Sequence, residues 1–311
     1  MTFEWVAVVV STAVEVLTKT IYLDNNATTV VDAGVIEAML PFFSERYGNP
    51  SSIHRFGGLV HQSIDRAREQ VAALINAHPD EIVFTSCGSE GDNMALQGFV
   101  KSHRERVRII TTAVEHPAVR TTCHHLRDEG VDLFELPVDE KGLPDVSLFR
   151  SLPIDQNTIV SVMWANNETG VISPIQEMAE ITRAAGGTFH TDAVQAVGKV
   201  AIDVKKTPVD MLTLSGHKLH APKGIGAQFI RRGKKIPPLL WGGHQEEGKR
   251  AGTENVPYIV GLGRACELAL NYMEEENTRV KALRDRLERG LLESCTGAKL
   301  NGDPERRLPN T

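Results

Sequence analysis

An α/β domain built on a largely parallel sheet is the architecture this sequence predicts, on three observations. Apolar runs of strand length alternate with longer stretches of helical period. About seven such runs occur, enough for one open sheet flanked by helices. Unusual polar residues follow five of the runs, where the carboxyl ends of parallel strands would gather a site.

The elements follow in chain order. Strands are expected at 82–85, 107–111, 131–136, 158–163, 188–190, 211–214 and 227–230, all short and rich in Val, Ile, Leu, Phe or Thr. Helices are expected near 64–75, 92–102, 118–128, 175–185 and 256–272. A last helix from 277 to about 293 carries Val280, Leu283, Leu287 and Leu291 at helical spacing. Residues 1–20 hold the apolar Val6–Val10 run, but Glu4 and Glu15 flank or interrupt it and no Lys or Arg precedes it. That is neither a secretory signal nor the roughly 20 apolar residues of a membrane span. The segment reads as an N-terminal extension.

Composition narrows the function classes. The 311 residues include 41% hydrophobic and 24% charged, an ordinary soluble balance. A net charge of −6, with no basic stripe, argues against a nucleic-acid partner. Cys87, Cys123, Cys266 and Cys295 are far apart, which suits a reducing cytoplasm better than a disulfide framework or a zinc site. No metal site is expected: His54 with His61 lacks a third ligand, and His124-His125 lacks the His-Glu-x-x-His pattern. Gly261-x-Gly263 sits in a helical stretch and is no dinucleotide fingerprint.

Five polar segments can do chemistry. Lys218, in Ser215-Gly216-His217-Lys218, follows the run 211–214; a lysine at such a junction can form a Schiff base if burial lowers its pKa. The small residues around Gly88 and Ser89 open a helix after a strand and can hold a phosphate; a cap by Ser86 or Ser89 explains them equally. His116 can stack on a flat heteroaromatic ring, or cap a helix that begins at Pro117. Asp192 can keep a pyridine nitrogen protonated, with Gln195 donating to the ring's phenolate oxygen, or it can cap a helix from Ala193. Asn166-Asn167 suits hydrogen bonding to a planar ring, and also suits a turn. Together these suit one cofactor, pyridoxal phosphate. The polar, glycine-rich stretch 241–255 is long for a compact chain, and Arg250 and Thr253 can reach an anion there, even in a neighbouring subunit.

In order along the chain stand Tyr22-Leu23-Asp24-Asn25-Asn26-Ala27-Thr28-Thr29, Gly48-Asn49-Pro50-Ser51-Ser52, Glu115-His116-Pro117 and Asn166-Asn167-Glu168-Thr169-Gly170. His190-Thr191-Asp192-Ala193-Val194-Gln195, Ser215-Gly216-His217-Lys218 and Arg250-Ala251-Gly252-Thr253-Glu254-Asn255 follow. With these motifs the chain resembles the NifS/IscS-like cysteine desulfurases, and looks closest to the nitrogen-fixation type. The resemblance implies a class-V aminotransferase of pyridoxal-phosphate fold type I, working as a cytoplasmic homodimer. It implies conversion of L-cysteine to L-alanine, with the sulfur leaving as an enzyme-bound persulfide for an iron–sulfur scaffold protein, plausibly in nitrogenase assembly.

By motif position, Lys218 resembles the Schiff-base lysine and His116 the ring-stacking residue. Asp192 resembles the partner of the pyridine nitrogen, and Gln195 and Asn167 further cofactor and substrate contacts. Gly88, Ser89, Ser215 and His217 resemble the phosphate group's partners, with Gly216 in the same motif, and Thr253 the residue that reaches the phosphate from the other subunit. The domains expected are an extension at 1–20, a cofactor-binding large domain at 21–270 with an arm at 21–60, and a linking helix opening a mostly absent small domain at 271–311. The family's sulfur-accepting cysteine lies beyond the motif matched by Arg307-Leu308-Pro309-Asn310-Thr311, so no catalytic cysteine is carried over and little turnover is expected of the chain as it stands. A selenocysteine lyase, another aminotransferase or a non-catalytic product are the alternatives.

Overall fold

A computed structural model describes residues 21–103 and 105–311; the expected extension at 1–20 lies outside them. The elements run α1 (Ala33–Met39), α2 (Pro41–Ser44), α3 (Arg55–Leu74), β1 (Ile82–Thr85), α4 (Gly88–Ser102), β2 (Arg108–Thr112), α5 (Pro117–Asp128) and β3 (Asp132–Leu136). They continue with α6 (Val146–Ser151), β4 (Thr158–Ser161), α7 (Ile175–Ala184), β5 (Thr188–Asp192), β6 (Met211–Ser215), β7 (Gly226–Ile230), α8 (Val256–Glu275) and α9 (Lys281–Ser294).

The seven strands form one sheet in the order β1-β7-β6-β5-β4-β2-β3. Strands β3, β2, β4, β5 and β6 pair parallel. Strand β7 pairs antiparallel with both β6 and β1, which turns β1 back into the common direction. All strands but β7 therefore end on one edge.

Side chains alternate across the sheet, as the strand period of two requires. Ile109, Ile159 and Met211 point into a cluster with Leu96 and Phe99 of α4 and Val119 and Cys123 of α5. Their neighbours Ile110, Val160 and Leu212 point the other way, into the main core with Val60, Ile64 and Val71 of α3, Met178 of α7 and Leu262 of α8. Burial on both faces is why these strands read as continuous apolar runs.

Every expected strand is present, with ends shifted by a residue or two. The helices differ more. Helix α3 begins nine residues before the expected 64, because His54 caps it by accepting from the Gly57 N–H. Helix α4 begins at Gly88, so the small residues read as a loop form its first turn. The helices α1, α2 and α6 span 7, 4 and 6 residues, too few turns to show a periodicity. The linking helix expected from 271 continues α8, through a π-helical segment Glu276–Val280, into α9.

Candidate functional site

The polar residues at the strand ends meet around a cavity of about 490 Å³ on the carboxyl edge of the sheet. Gly88, Ser89, His116, Asn167, Asp192, Gln195, Ser215, His217 and Lys218 all line it. Two expected residues do not. Gly216 lies behind the wall, its N–H donated to the Ile225 carbonyl at 2.9 Å, and a Cβ there would meet Ile225 Cγ2 at 2.8 Å. Thr253 is exposed beside a separate cavity of about 190 Å³ with Thr85, Ser86 and Arg250, outside the Lys218 cavity of its own chain.

Lys218 sits on the short turn that follows β6, half-buried. Its Nζ donates to the carbonyls of Asn26 and, at 2.8 Å, Ala27. Burial lowers its pKa, and the carboxylate of Asp192 works in the opposite direction. Asp192 is the last residue of β5 and is buried. Its Oδ1 accepts from the Val194 N–H at 2.9 Å, but no α-helix follows, so it caps a turn and not the helix considered from the sequence. Burial raises its pKa, against the Val194 N–H and the nearby His116 and Lys218.

His116 takes the capping role the sequence allowed and stands at the cavity wall. It caps α5, its Nδ1 accepting from the Ala118 N–H at 3.1 Å. The acceptor role leaves the ring hydrogen of the neutral form on Nε2. His217 shares a hydrogen bond with Thr28 at 3.1 Å, and burial depresses its pKa to about 4, so it is a neutral imidazole near pH 7. Neither Ser86 nor Ser89 caps α4 through its side chain. Instead Glu90 accepts from the Ser86 N–H at 2.7 Å and pairs with Arg250 at 2.8 Å.

Sequence reasoning missed three parts of this site. The Asn26 carbonyl is a hub: it accepts from Lys218 Nζ and from Gln195 Nε2 at 2.8 Å. Its motif was visible, but not the backbone atom that acts. Glu115, beside His116, is buried; its Oε1 accepts from Thr112 at 2.6 Å and the Met163 N–H at 3.0 Å, while Oε2 has no partner. Burial pushes its pKa up to about 8. Asp92 lies wholly inside α4 with Oδ1 unpartnered, and burial, aided by the charge of Asp192, raises its pKa well above the ordinary value. Beside it His190 is held between Ser161 and Thr213 and kept neutral, its pKa depressed by burial to about 3.

The cavity fits a flat, phosphorylated aldehyde. A Cβ at Gly88 would meet Val194 Cγ2 at 2.9 Å, so the first turn of α4 closes against the β5 loop only with glycine there. The first N–H groups of a helix carry no intrahelical bond and favour an anion. An amine and a buried carboxylate complete the donor set such a group needs. Among the described residues no cluster of three or more His, Cys, Asp or Glu is placed to hold a metal ion.

Comparison with known proteins follows the same line. A family model described as aminotransferase class-V matches residues 21–311. The cysteine desulfurase NifS of Azotobacter vinelandii is 56% identical over 292 residues, which is 94% of this chain and 73% of that protein. A cysteine desulfurase of Gluconacetobacter diazotrophicus is 53% identical over 293 residues, with the same two shares. Among solved structures, one described as a NifS-like protein superposes with a TM-score of 0.89 at 40% identity, covering 93% of this chain and 80% of its own.

Proposed function

The chain belongs to the aminotransferase class-V family, and from that premise we infer that it is a pyridoxal-phosphate-dependent cysteine desulfurase. The single observation that carries the reading is that Lys218 and Asp192 share one cavity with the first turn of α4. Pyridoxal phosphate, when bound, supplies an aldehyde that amines can bond and a ring that draws electrons from the substrate's Cα.

The chain's own residues then have distinct tasks. Lys218 would hold the group by its amine, and the same amine, its pKa lowered by burial, would take and return the proton at the Cα of L-cysteine. Asp192 keeps a proton on the ring nitrogen through a carboxylate hydrogen bond. His116 would face the ring, while Gln195 and Asn167 would hold the group and the substrate. Gly88 and Ser89 offer N–H groups and a hydroxyl to the phosphate, joined by Ser215 and the neutral His217. Gly216 sets the close turn that presents Lys218, and Thr253 serves the phosphate of a neighbouring subunit.

Sulfur transfer needs an accessible thiolate. Cys123 and Cys266 do not qualify: both are buried, with thiols pushed up to about 12. Cys87 lines the cavity and Cys295 is exposed, and neither is assigned the task. With no thiolate assigned among these four cysteines, the sulfur acceptor proposed is an iron–sulfur scaffold protein in the cytoplasm, in nitrogenase assembly. No helix among the described residues is long and apolar enough to cross a membrane. The exposed Ile21, Leu23, Val30, Tyr47 and Ile53 of the arm 21–60 support a homodimer, because a second copy would cover them. Within this reading 21–270 is the cofactor-binding domain, and the linking helix lies within 271–311.

Borohydride trapping followed by peptide mass spectrometry tests the reading. The parent chain is expected to carry the reduced cofactor on Lys218, and Lys218→Ala to carry none. An adduct elsewhere, or none in the parent, refutes it. Alanine formed from L-selenocysteine but not from L-cysteine would refute the substrate.

A further inference from the structure

Lys199 has no part in the tasks above, yet its environment is costly. It follows β5 in the segment leading from Asp192 and is only 7% exposed. No carboxylate lies within ion-pair distance of it among the described residues, and its Nζ makes one hydrogen bond, to Gln195 Oε1 at 3.0 Å. A buried ammonium without an ion pair is unfavourable, and burial lowers this pKa to about 8. The charge of Glu276, in the π-helical segment, opposes the shift, and that of Lys218 adds to it. From the same segment Asn277 donates to the Lys199 carbonyl at 2.8 Å, so the backbone beneath the lysine is anchored as well. Such π-helical turns recur beside functional sites.

The chemistry of the neighbours fixes the Gln195 amide at both ends. An ammonium can only donate, so the oxygen of the amide must face Lys199. A carbonyl can only accept, so the amide nitrogen must face Asn26, whose carbonyl also receives Lys218 Nζ. One N–H of Gln195 Nε2 is thereby left for the cavity that this residue lines. The line Lys199–Gln195–Asn26–Lys218 joins two lysines through an amide and a carbonyl.

We propose that Lys199 is a positioning residue: its ammonium locks the Gln195 amide with the oxygen turned away from the cavity and the N–H group turned toward it. The proposal rests on the cavity being the cofactor site. Without Lys199 only the Asn26 carbonyl holds the amide, and its N–H is fixed less firmly where a donor is needed.

The test titrates the visible absorbance of the full chain, loaded with pyridoxal phosphate, against pH. Lys199→Met fills a similar volume without donating. It is expected to move the midpoint by about half a unit to one unit, a threefold to tenfold change in the proton equilibrium, in the direction given by Gln195→Leu. Lys199→Arg, which still donates, is expected to keep the parent midpoint. Combined with Gln195→Leu, Lys199→Met is expected to add nothing, because it acts through that side chain. An unmoved midpoint in Lys199→Met, or shifts that add in the double variant, overturns the proposal. If Lys199→Met does not fold, Lys199→Leu, which cannot donate either, takes its place under the same requirement. A parent chain that takes up no chromophore refutes the function itself, whereas a normal chromophore with an unmoved midpoint refutes only the role of Lys199.

Discussion

Replacing Glu115 by glutamine should make the cofactor-free chain more stable near neutral pH. Folding raises this carboxyl from an ordinary 4.5 to about 8, chiefly because it is buried. Below about pH 4.5 both the folded and unfolded carboxyls are protonated, and the group contributes no penalty. Between about 4.5 and 8 the unfolded chain has lost the proton while the folded chain still holds it, so stability falls as pH rises. At 1.36 kcal/mol per unit, the two units from about pH 5 to about pH 7 amount to roughly 3 kcal/mol. Glutamine keeps the oxygen that accepts from Thr112 and the Met163 N–H. Its amide N–H group meets the same unpartnered surroundings as the Oε2 it replaces. Urea unfolding at the two pH values, compared between parent and Glu115→Gln, reads the difference. The parent should lose stability on going up in pH and the variant should lose less, by roughly 3 kcal/mol. Parallel changes in the two chains would refute the assignment of Glu115 as a buried, protonated acid.

Three further outcomes follow from the geometry. Gly88→Ala, whose Cβ would stand 2.9 Å from Val194 Cγ2, is expected to weaken pyridoxal phosphate uptake about tenfold in an absorbance titration; unchanged affinity would remove Gly88 from the site. Arg68→Met strips two of the three hydrogen bonds, at 2.7 and 2.8 Å, from the nearly inaccessible carboxylate of Glu246 and leaves the one from the Phe84 N–H. Because Glu246 and Glu247 both hold left-handed φ, a loss of about 3 kcal/mol and first proteolytic cuts within 241–255 are expected; an unchanged urea midpoint would refute this. Native-state alkylation read by mass spectrometry should label Cys295 and Cys87 well before the buried Cys123 and Cys266, and equal rates would contradict the packing.

What the sequence could reveal depended on whether a residue acts by its own chemistry or by its place. The strands were legible because burial on both faces writes them as unbroken apolar runs, as in 211–214 and 227–230. Lys218, Asp192 and His116 were legible because a charged or imidazole side chain just after such a run has few structural excuses. Asn26 was not, because it acts through a backbone carbonyl that meets a side chain 192 residues away. Asp92 and Glu115 looked like ordinary acids near helix starts. Only the register of α4 and α5 against the sheet places them where water cannot reach. Lys199 carries no signal in the sequence for the same reason. Glu90 stands in the first turn of α4, where the helix dipole favours an acid, and that local role hides its pairing with Arg250, 160 residues on.

The position of β7 explains why one turn of α4 can serve residues from two other strands. Inserted antiparallel between β1 and β6, it sets those two strands about 10 Å apart while leaving them pointing the same way. The turn after β1 must then cross the start of β7 to reach the ends of β5 and β6. Gly226 makes the crossing possible: a Cβ there would stand 2.7 Å from the Leu214 carbonyl oxygen and 3.0 Å from the Cys87 backbone. Gly88 completes it, with space for a Cβ already taken by Val194 and, at 3.5 Å, Ser215 Cβ. Two glycines thus let the positive end of α4, the helix that follows β1, line one cavity with a lysine on the turn after β6, a strand that β1 does not pair with. The site follows from backbone approach first, and the side chains that do chemistry are placed by it.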